Sequence, residues 1–265
     1  MQTLNPISSR ENPIVKRFRR LGESSRARRE ERLALIDGAH LIAAAMDAGW
    51  RFGDILVAES ARHSDEVLRL LARSTGVSSY LLPDALFRQL SPVETPSGLL
   101  ASVDWQEPET PPDPTTDWLV LDGVQDAGNV GTMMRTAAAT GVKEVILGPG
   151  CAQAWGPKVL RAAMGAHFVV RIHCVDDLPT LLRAYPGRVA ATRLDGAQSL
   201  FDTDLRTPTA WLFGAEGQGL SAPVAATARQ GILIPMAPGI ESLNVAAAAA
   251  VCLFEQRRQR LLPAQ

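Results

Sequence analysis

The chain has 265 residues, 46% of them apolar and 21% charged, with a formal net charge of −1. That is long enough for one large or two ordinary hydrophobic cores. No apolar run approaches the ~20 residues needed to span a bilayer, and the N-terminus lacks the apolar segment of a secretory signal, so a cytoplasmic location is expected.

The charge is unevenly spread. Residues 1–32 hold nine Arg/Lys against four acids, a net +5, which leaves −6 for the rest. A basic recognition surface on a body that need not bind a polyanion fits this asymmetry, and so does a solvated helix laced with i,i+4 pairs. Within the first domain, residues 13–21 and 39–48 have helical spacing of apolar residues, 54–58 reads as a strand, 65–74 as a helix and 78–82 as a strand. Alternating elements predict a small α/β domain over 1–104. Residues 105–117, rich in proline and acidic residues, form a linker.

A second domain is expected over 118–265. Strands are predicted at 118–122, 144–147, 168–172, 188–192, 210–213 and 231–234, with helices between them, so the sheet should be mostly parallel and covered on both faces. His167 and His173 flank one of these strands and read as structural. Cys151, Cys174 and Cys252 lie far apart without metal-ligand spacing and read as buried free thiols. No metal site is expected.

Three segments of this domain place polar residues in a loop between a strand and a helix. In LDGVQDAGNVGTMMRTAAATGV (121–142), Asn129 is an expected N-cap and Arg135 falls in the second turn. A guanidinium there is either a snorkelling surface group or well placed for a phosphate beside a helix N-terminus. In WLFGAEGQGLS (211–221), Gly214, Gly217 and Gly219 permit a tight loop before Ser221 caps a helix, although the spacing is not a dinucleotide fingerprint. Glu216 suits a ribose or an arginine partner, or is an exposed turn residue. In IPMAPGIESLNVAAAAAVCLFEQRRQR (234–260), Glu241, Ser242 and Asn244 precede an Ala-rich helix, where capping and ligand binding are both open.

Taken in this order, NVGTMMRTAAATG, FGAEGQGLS and IPMAPGIESLNVAAAAA resemble the three motifs of the SpoU, or TrmH-type, family of RNA ribose 2′-O-methyltransferases. The N-terminal half, through ISSRENPIVKRFRRL, LIDGAHLI and ETPSGLLA, resembles the substrate-binding domain often attached to it. Ala215 and Ala246 depart from common family residues, and Asp37 stands where glutamate is usual.

The resemblance implies a SPOUT fold with a deep C-terminal trefoil knot, a smaller N-terminal α/β RNA-binding domain, and S-adenosylmethionine as cofactor. It implies a homodimer joined through the knotted domain by a helix over about 243–260, whose face of Leu243, Ala247, Ala250, Val251 and Phe254 suits either core or dimer contact. The expected cofactor contacts are Leu212, Gly214, Glu216, Gly219, Ile234, Met236, Leu243 and Asn244. The expected catalytic set is Asn129, Arg135, Glu216, Ser242 and Asn244, with Arg135 polarising the 2′-hydroxyl in its own or the neighbouring subunit's site. Arg10, Asn12, Lys16, Arg19, Arg28 and Arg29 are the candidate RNA contacts. Ribosomal RNA is the expected substrate; a tRNA ribose methyltransferase and a noncatalytic RNA-binding or assembly factor are the alternatives.

Overall fold

The computed structural model describes residues 3–93, 96–105, 107–193, 197–240 and 242–261. Glu94 and Thr95 of ETPSGLLA, and Glu241 of the third motif, lie outside them. The chain forms two compact units, Met1–Gln106 with Trp155–Phe168, and Glu107–Ala154 with Val169–Gln265.

The first unit is built on a five-stranded sheet of β1 (Leu4–Pro6), β2 (Leu33–Asp37), β3 (Phe52–Ala58), β4 (Ser78–Leu82) and β5 (Leu99–Asp104), in the order β1-β4-β3-β5-β2. Strands β1, β4 and β3 are parallel, while β5 runs antiparallel to both β3 and β2. Helices α1 (Pro13–Glu23), α2 (Ser25–Glu31), α3 (Ala39–Asp47), α4 (Asp65–Arg73) and α5 (Asp84–Leu90) come from the same stretch.

Asn12 starts α1 by accepting the Ile14 N–H at 2.9 Å, and Pro13 follows at its first position, where a missing N–H costs nothing. Val15, Phe18 and Leu21 then recur at helical spacing and pack into a core with Leu33, Leu35, Leu56 and Phe87. Ser24 ends α1 and caps α2. Helix α7 (Pro157–Ala163), from later in the chain, lies against β2, and Trp155 sits 5.3 Å from Trp50 and 5.9 Å from Trp105 between ring centroids.

The second unit is a seven-stranded sheet of β6 (Trp118–Asp122), β7 (Glu144–Leu147), β8 (Arg171–Cys174), β9 (Arg188–Thr192), β10 (Gln198–Ser199), β11 (Thr209–Gly214) and β12 (Gln230–Leu233). Its order is β10-β12-β9-β11-β6-β7-β8, and every neighbouring pair is parallel. Helices α6 (Ala127–Thr140), α8 (Leu178–Ala184), α9 (Ala222–Ala225) and α10 (Val245–Leu261) belong to this unit. The strand expected at 168–172 begins three residues later, because Ala166–Phe168 closes a 3-10 turn and the ladder starts where the Arg171 N–H meets the Lys143 carbonyl at 2.7 Å. Cys174 is exposed at the end of β8, unlike the buried thiol expected.

From β6 the chain steps outward through β7 and β8, crosses to β9, and returns at β11 beside β6. The reversal lies between β6 and β11, and open parallel sheets bind ligands beyond the carboxyl ends of the strands at such a point.

The last helix is held by side-chain amides. The Trp211 indole N–H donates to Gln256 Oε1 at 2.9 Å, and Gln256 Nε2 donates to Asp117 Oδ1 at 3.1 Å. The Gln259 amide accepts the Leu205 N–H and donates to the Thr203 carbonyl, at 2.9 and 3.0 Å. Arg260 forks onto Asp117. The core side of α10 is therefore Ala246, Ala249, Cys252, Leu253, Gln256 and Gln259. The face read as core or dimer contact turns outward: Leu243 and Ala247 are exposed, and Phe254 is 51% exposed. No helix among the described residues is long and apolar enough to cross a membrane.

Candidate active site

All three motif loops leave the carboxyl edge of the parallel sheet, after β6, β11 and β12. After β6, it is Asp126 that caps α6, accepting the Asn129 N–H at Oδ1 over 2.7 Å. This corrects the expectation that Asn129 is the cap. An N-cap oxygen reaches the N–H two or three residues on, and Asp126 stands three before Asn129. The Asn129 side chain is thereby released from capping.

That side chain joins the other two motifs. Asn129 Nδ2 donates to Glu216 Oε1 at 2.7 Å, and Asn129 Oδ1 accepts from Asn244 Nδ2 at 3.1 Å. Asn244 Oδ1 in turn accepts the Ala246 and Ala247 N–H groups at 2.9 and 3.2 Å, so Asn244 caps α10 while it binds Asn129. Ser242 makes no hydrogen bond among the described residues and faces a cleft. Partial burial pushes the Glu216 carboxyl up, but hydrogen bonds from Asn129 and from backbone N–H groups outweigh it and hold the group below the usual glutamate range.

The β11–α9 loop is fixed by its backbone. Ala215 and Gly219 exchange N–H···O bonds of 3.0 and 2.8 Å, folding the loop back over Gly214. At its exit the Ser221 N–H donates to Asp122 Oδ2, 2.7 Å away at the end of β6. Ser221 occupies the N-cap of α9 without a side-chain capping bond.

Ile234, Met236, Ser242 and Leu243 line one cleft beside the start of α10, joined by Thr192 and Arg193 from the end of β9. The sequence reading missed those two. The signal for them was position, at the carboxyl end of a parallel strand. Gly219 lines a separate cleft with Asp122, Gly123 and Ser221, and Gly214 lies under the folded loop. Leu212 is 1% exposed within the sheet core, which leaves only its backbone for a ligand.

Arg135 stands apart. With α6 starting at Ala127, it falls in the third turn instead of the second, on the exposed strip of Gly128, Thr132 and Ala139. Six residues at 100° each put it about 120° round the helix from Asn129 and ~9 Å along it. No hydrogen bond or ion pair among the described residues joins it to Asn129, Glu216 or Asn244.

The RNA-contact candidates divide in the first unit. Arg28 is 5% exposed and donates from Nη1 to the Leu21 and Gly22 carbonyls, at 2.6 and 3.2 Å, which satisfies the end of α1. Asn12 is the α1 cap, and Lys16 pairs with Glu11 at 2.5 Å. Arg10, Arg19 and Arg29 carry no salt bridge among the described residues. Much of the remaining basic charge is also paired: Arg17 and Arg20 both meet Glu31, and Arg26 meets Glu30.

Residues 118–254 match the model of the SpoU rRNA Methylase family, just over half of the chain. The chain belongs to that family. In this SpoU protein, residues 12–101 also match an MRM3-like substrate binding domain. It is 36% identical over 260 residues to an uncharacterized tRNA/rRNA methyltransferase of Synechocystis, covering 96% of this chain and 94% of the relative. It is 31% identical over 257 residues to a 23S rRNA (guanosine(2553)-2′-O)-methyltransferase of Bacillus subtilis, covering 96% and 100%. The crystal structure of an AdoMet-bound rRNA methyltransferase from Sinorhizobium meliloti superposes with a TM-score of 0.85 at 28% identity, over 98% of this chain and 99% of that one.

Proposed function

We propose that the protein transfers a methyl group from S-adenosylmethionine to a ribose 2′-hydroxyl of ribosomal RNA, as a cytoplasmic homodimer. The observation that carries this reading is the Asn244–Asn129–Glu216 chain, which joins the three motif loops at the sheet reversal beside an apolar cleft.

The cleft suits the cofactor. Ile234, Met236 and Leu243 offer apolar contact for a nucleobase, and Thr192 and Ser242 offer hydroxyls beside it. When bound there, the cofactor supplies an electrophilic methyl on a good leaving group. The work left to the protein is on the ribose hydroxyl, a weak acid whose proton must pass to solvent as its oxygen bonds the methyl carbon, so the site has to position that oxygen and stabilise the negative charge that proton loss develops on it. A guanidinium with a pKa above about 12 is a poor base, so Arg135 acts as a hydrogen-bonding cation toward the 2′-oxygen and the adjacent phosphate. Glu216, Asn129 and Asn244 hold the loops that place ribose and cofactor.

The position of Arg135, away from the three-loop chain, supports its service in the partner subunit's site. The outward apolar face of α10 supports the dimer. The trefoil threading implied by the resemblance belongs to the same proposal. Arg10, Arg19 and Arg29 are the phosphate contacts this reading favours, while Arg28 is spent within the fold.

Methyl transfer to ribosomal RNA and tRNA, followed by nucleoside mass spectrometry, tests the proposal. A 2′-O-methylated nucleoside in ribosomal RNA is expected. Transfer to tRNA alone, base methylation alone, or no transfer with cofactor bound would overturn it.

A further inference from the structure

The cofactor cleft holds a cation that none of the three motifs contains. Arg193 follows the last residue of β9, and its backbone is pinned there, its N–H donating to the Ile232 carbonyl at 2.9 Å. The side chain is directed by its neighbour on β12: a Cβ on Gly231 would come within 3.2 Å of Arg193 Cδ, so the glycine leaves the path its aliphatic stem follows. Its guanidinium makes no hydrogen bond or ion pair among the described residues. Apart from Arg135, the other arginines of this unit are committed among the described residues, for example Arg171 to Glu144, Arg229 to the Gly187 and Arg183 carbonyls, Arg257 to the Thr140 carbonyl, Arg258 to Glu255 and Arg260 to Asp117. Among the described lining residues of the cleft Arg193 is the one cation, and none is acidic.

We propose that Arg193 binds the carboxylate of the cofactor's amino-acid moiety. This rests on the reading of the cleft as the cofactor site. Among the described residues Arg193 has no polar side-chain partner and lines a largely apolar cleft whose other described lining residues are uncharged, which favours an anionic group on the occupant, and a planar carboxylate matches the fork of guanidinium donors. The cofactor's one anionic group is that carboxylate. The arginine therefore divides the cleft, with the nucleoside against Ile234, Met236 and Leu243 and the amino-acid moiety toward the end of β9.

Titration calorimetry of the full chain with S-adenosylhomocysteine and with methylthioadenosine, which lacks the amino-acid moiety, tests this. Arg193→Ala is expected to weaken S-adenosylhomocysteine about tenfold or more, the scale of a charge-assisted hydrogen bond, and to leave methylthioadenosine within about twofold. Arg193→Lys is expected to recover part of the loss. Wild-type binding of S-adenosylhomocysteine with no change in Arg193→Ala would overturn the proposal and leave the cleft assignment standing, as would an effect confined to the KM for RNA. Equal weakening of both ligands would also overturn it. Failure of the wild-type protein to bind either ligand would overturn the cleft assignment itself.

Discussion

A methyl group placed on Gly214 would lie 2.1 Å from the carbonyl carbon of Gly219. The two glycines meet because Ala215 and Gly219 pair across the loop, and the backbone returning from that pairing occupies the space a Cβ would need.

Gly214→Ala must therefore open the loop or push β11 aside. Overpacking of this kind costs about 1–3 kcal/mol. Denaturant unfolding should show that loss, and calorimetry should show S-adenosylhomocysteine binding lost with it. Gly217 is the contrast: its φ is +86°, but its side-chain direction is open. Gly217→Asn, which tolerates left-handed backbone, should stay within about 1 kcal/mol of wild type.

Asn129→Ala should separate activity from stability. Asp126 keeps the α6 cap, so unfolding free energy should fall by no more than about 1 kcal/mol, while the link between Glu216 and Asn244 is lost and methyl transfer drops. Asn244→Ala removes the α10 cap as well and should cost about 1 kcal/mol more. Initial rates of the double variant should fall less than the product of the single effects, since both single variants break one chain.

Glu216 gives a pH dependence of known sign. Its carboxyl titrates lower in the folded chain than unfolded, so its contribution is fully present above the unfolded value of about 4.3 and is lost as pH falls through the folded value. The stability difference between wild type and Glu216→Gln should hold steady from pH 7 to about 5 and shrink below that. Denaturation curves at a series of pH values read it directly.

Arg135→Ala should keep cofactor binding and lose most turnover. If Arg135 serves the partner's site, mixing this variant with Asn244→Ala should restore activity, because each mixed dimer rebuilds one intact site. With random exchange half the dimers are mixed, and recovery should approach about a quarter of wild-type activity. Persistent inactivity after verified exchange would place Arg135 in its own subunit's site.

The three loops were legible because polar residues at the end of a predicted strand stand out against apolar runs, and the parallel sheet because strands alternated with helices. Which of two capping residues works as a cap was not legible: DAGN offers an aspartate and an asparagine three apart, and only geometry shows that the first caps the helix and so frees the second. Helix α2 escaped detection because SRARREE has no apolar stripe, its order coming from Ser24 and from the ion pairs it makes. The count of basic residues in the first 32 overstated the free charge, since pairing with Glu11, Glu30 and Glu31 and the burial of Arg28 depend on tertiary placement. Arg193 was missed for a similar reason: it carries no motif, only a location.

The polarity of the three-loop chain is uniform from end to end. The N–H groups at the entrance of α10 donate to Asn244, Asn244 donates to Asn129, and Asn129 donates to Glu216. Each amide passes on a dipole of the same sense, so the positive pole of a 17-residue helix is extended across two side chains to a carboxylate in another loop. Each interior place needs a side chain that accepts on one side and donates on the other, which the asparagine amide does with a separate oxygen and nitrogen. An aspartate at 129 could still accept from Asn244 but would set a second carboxylate against Glu216 and break the wire at that link.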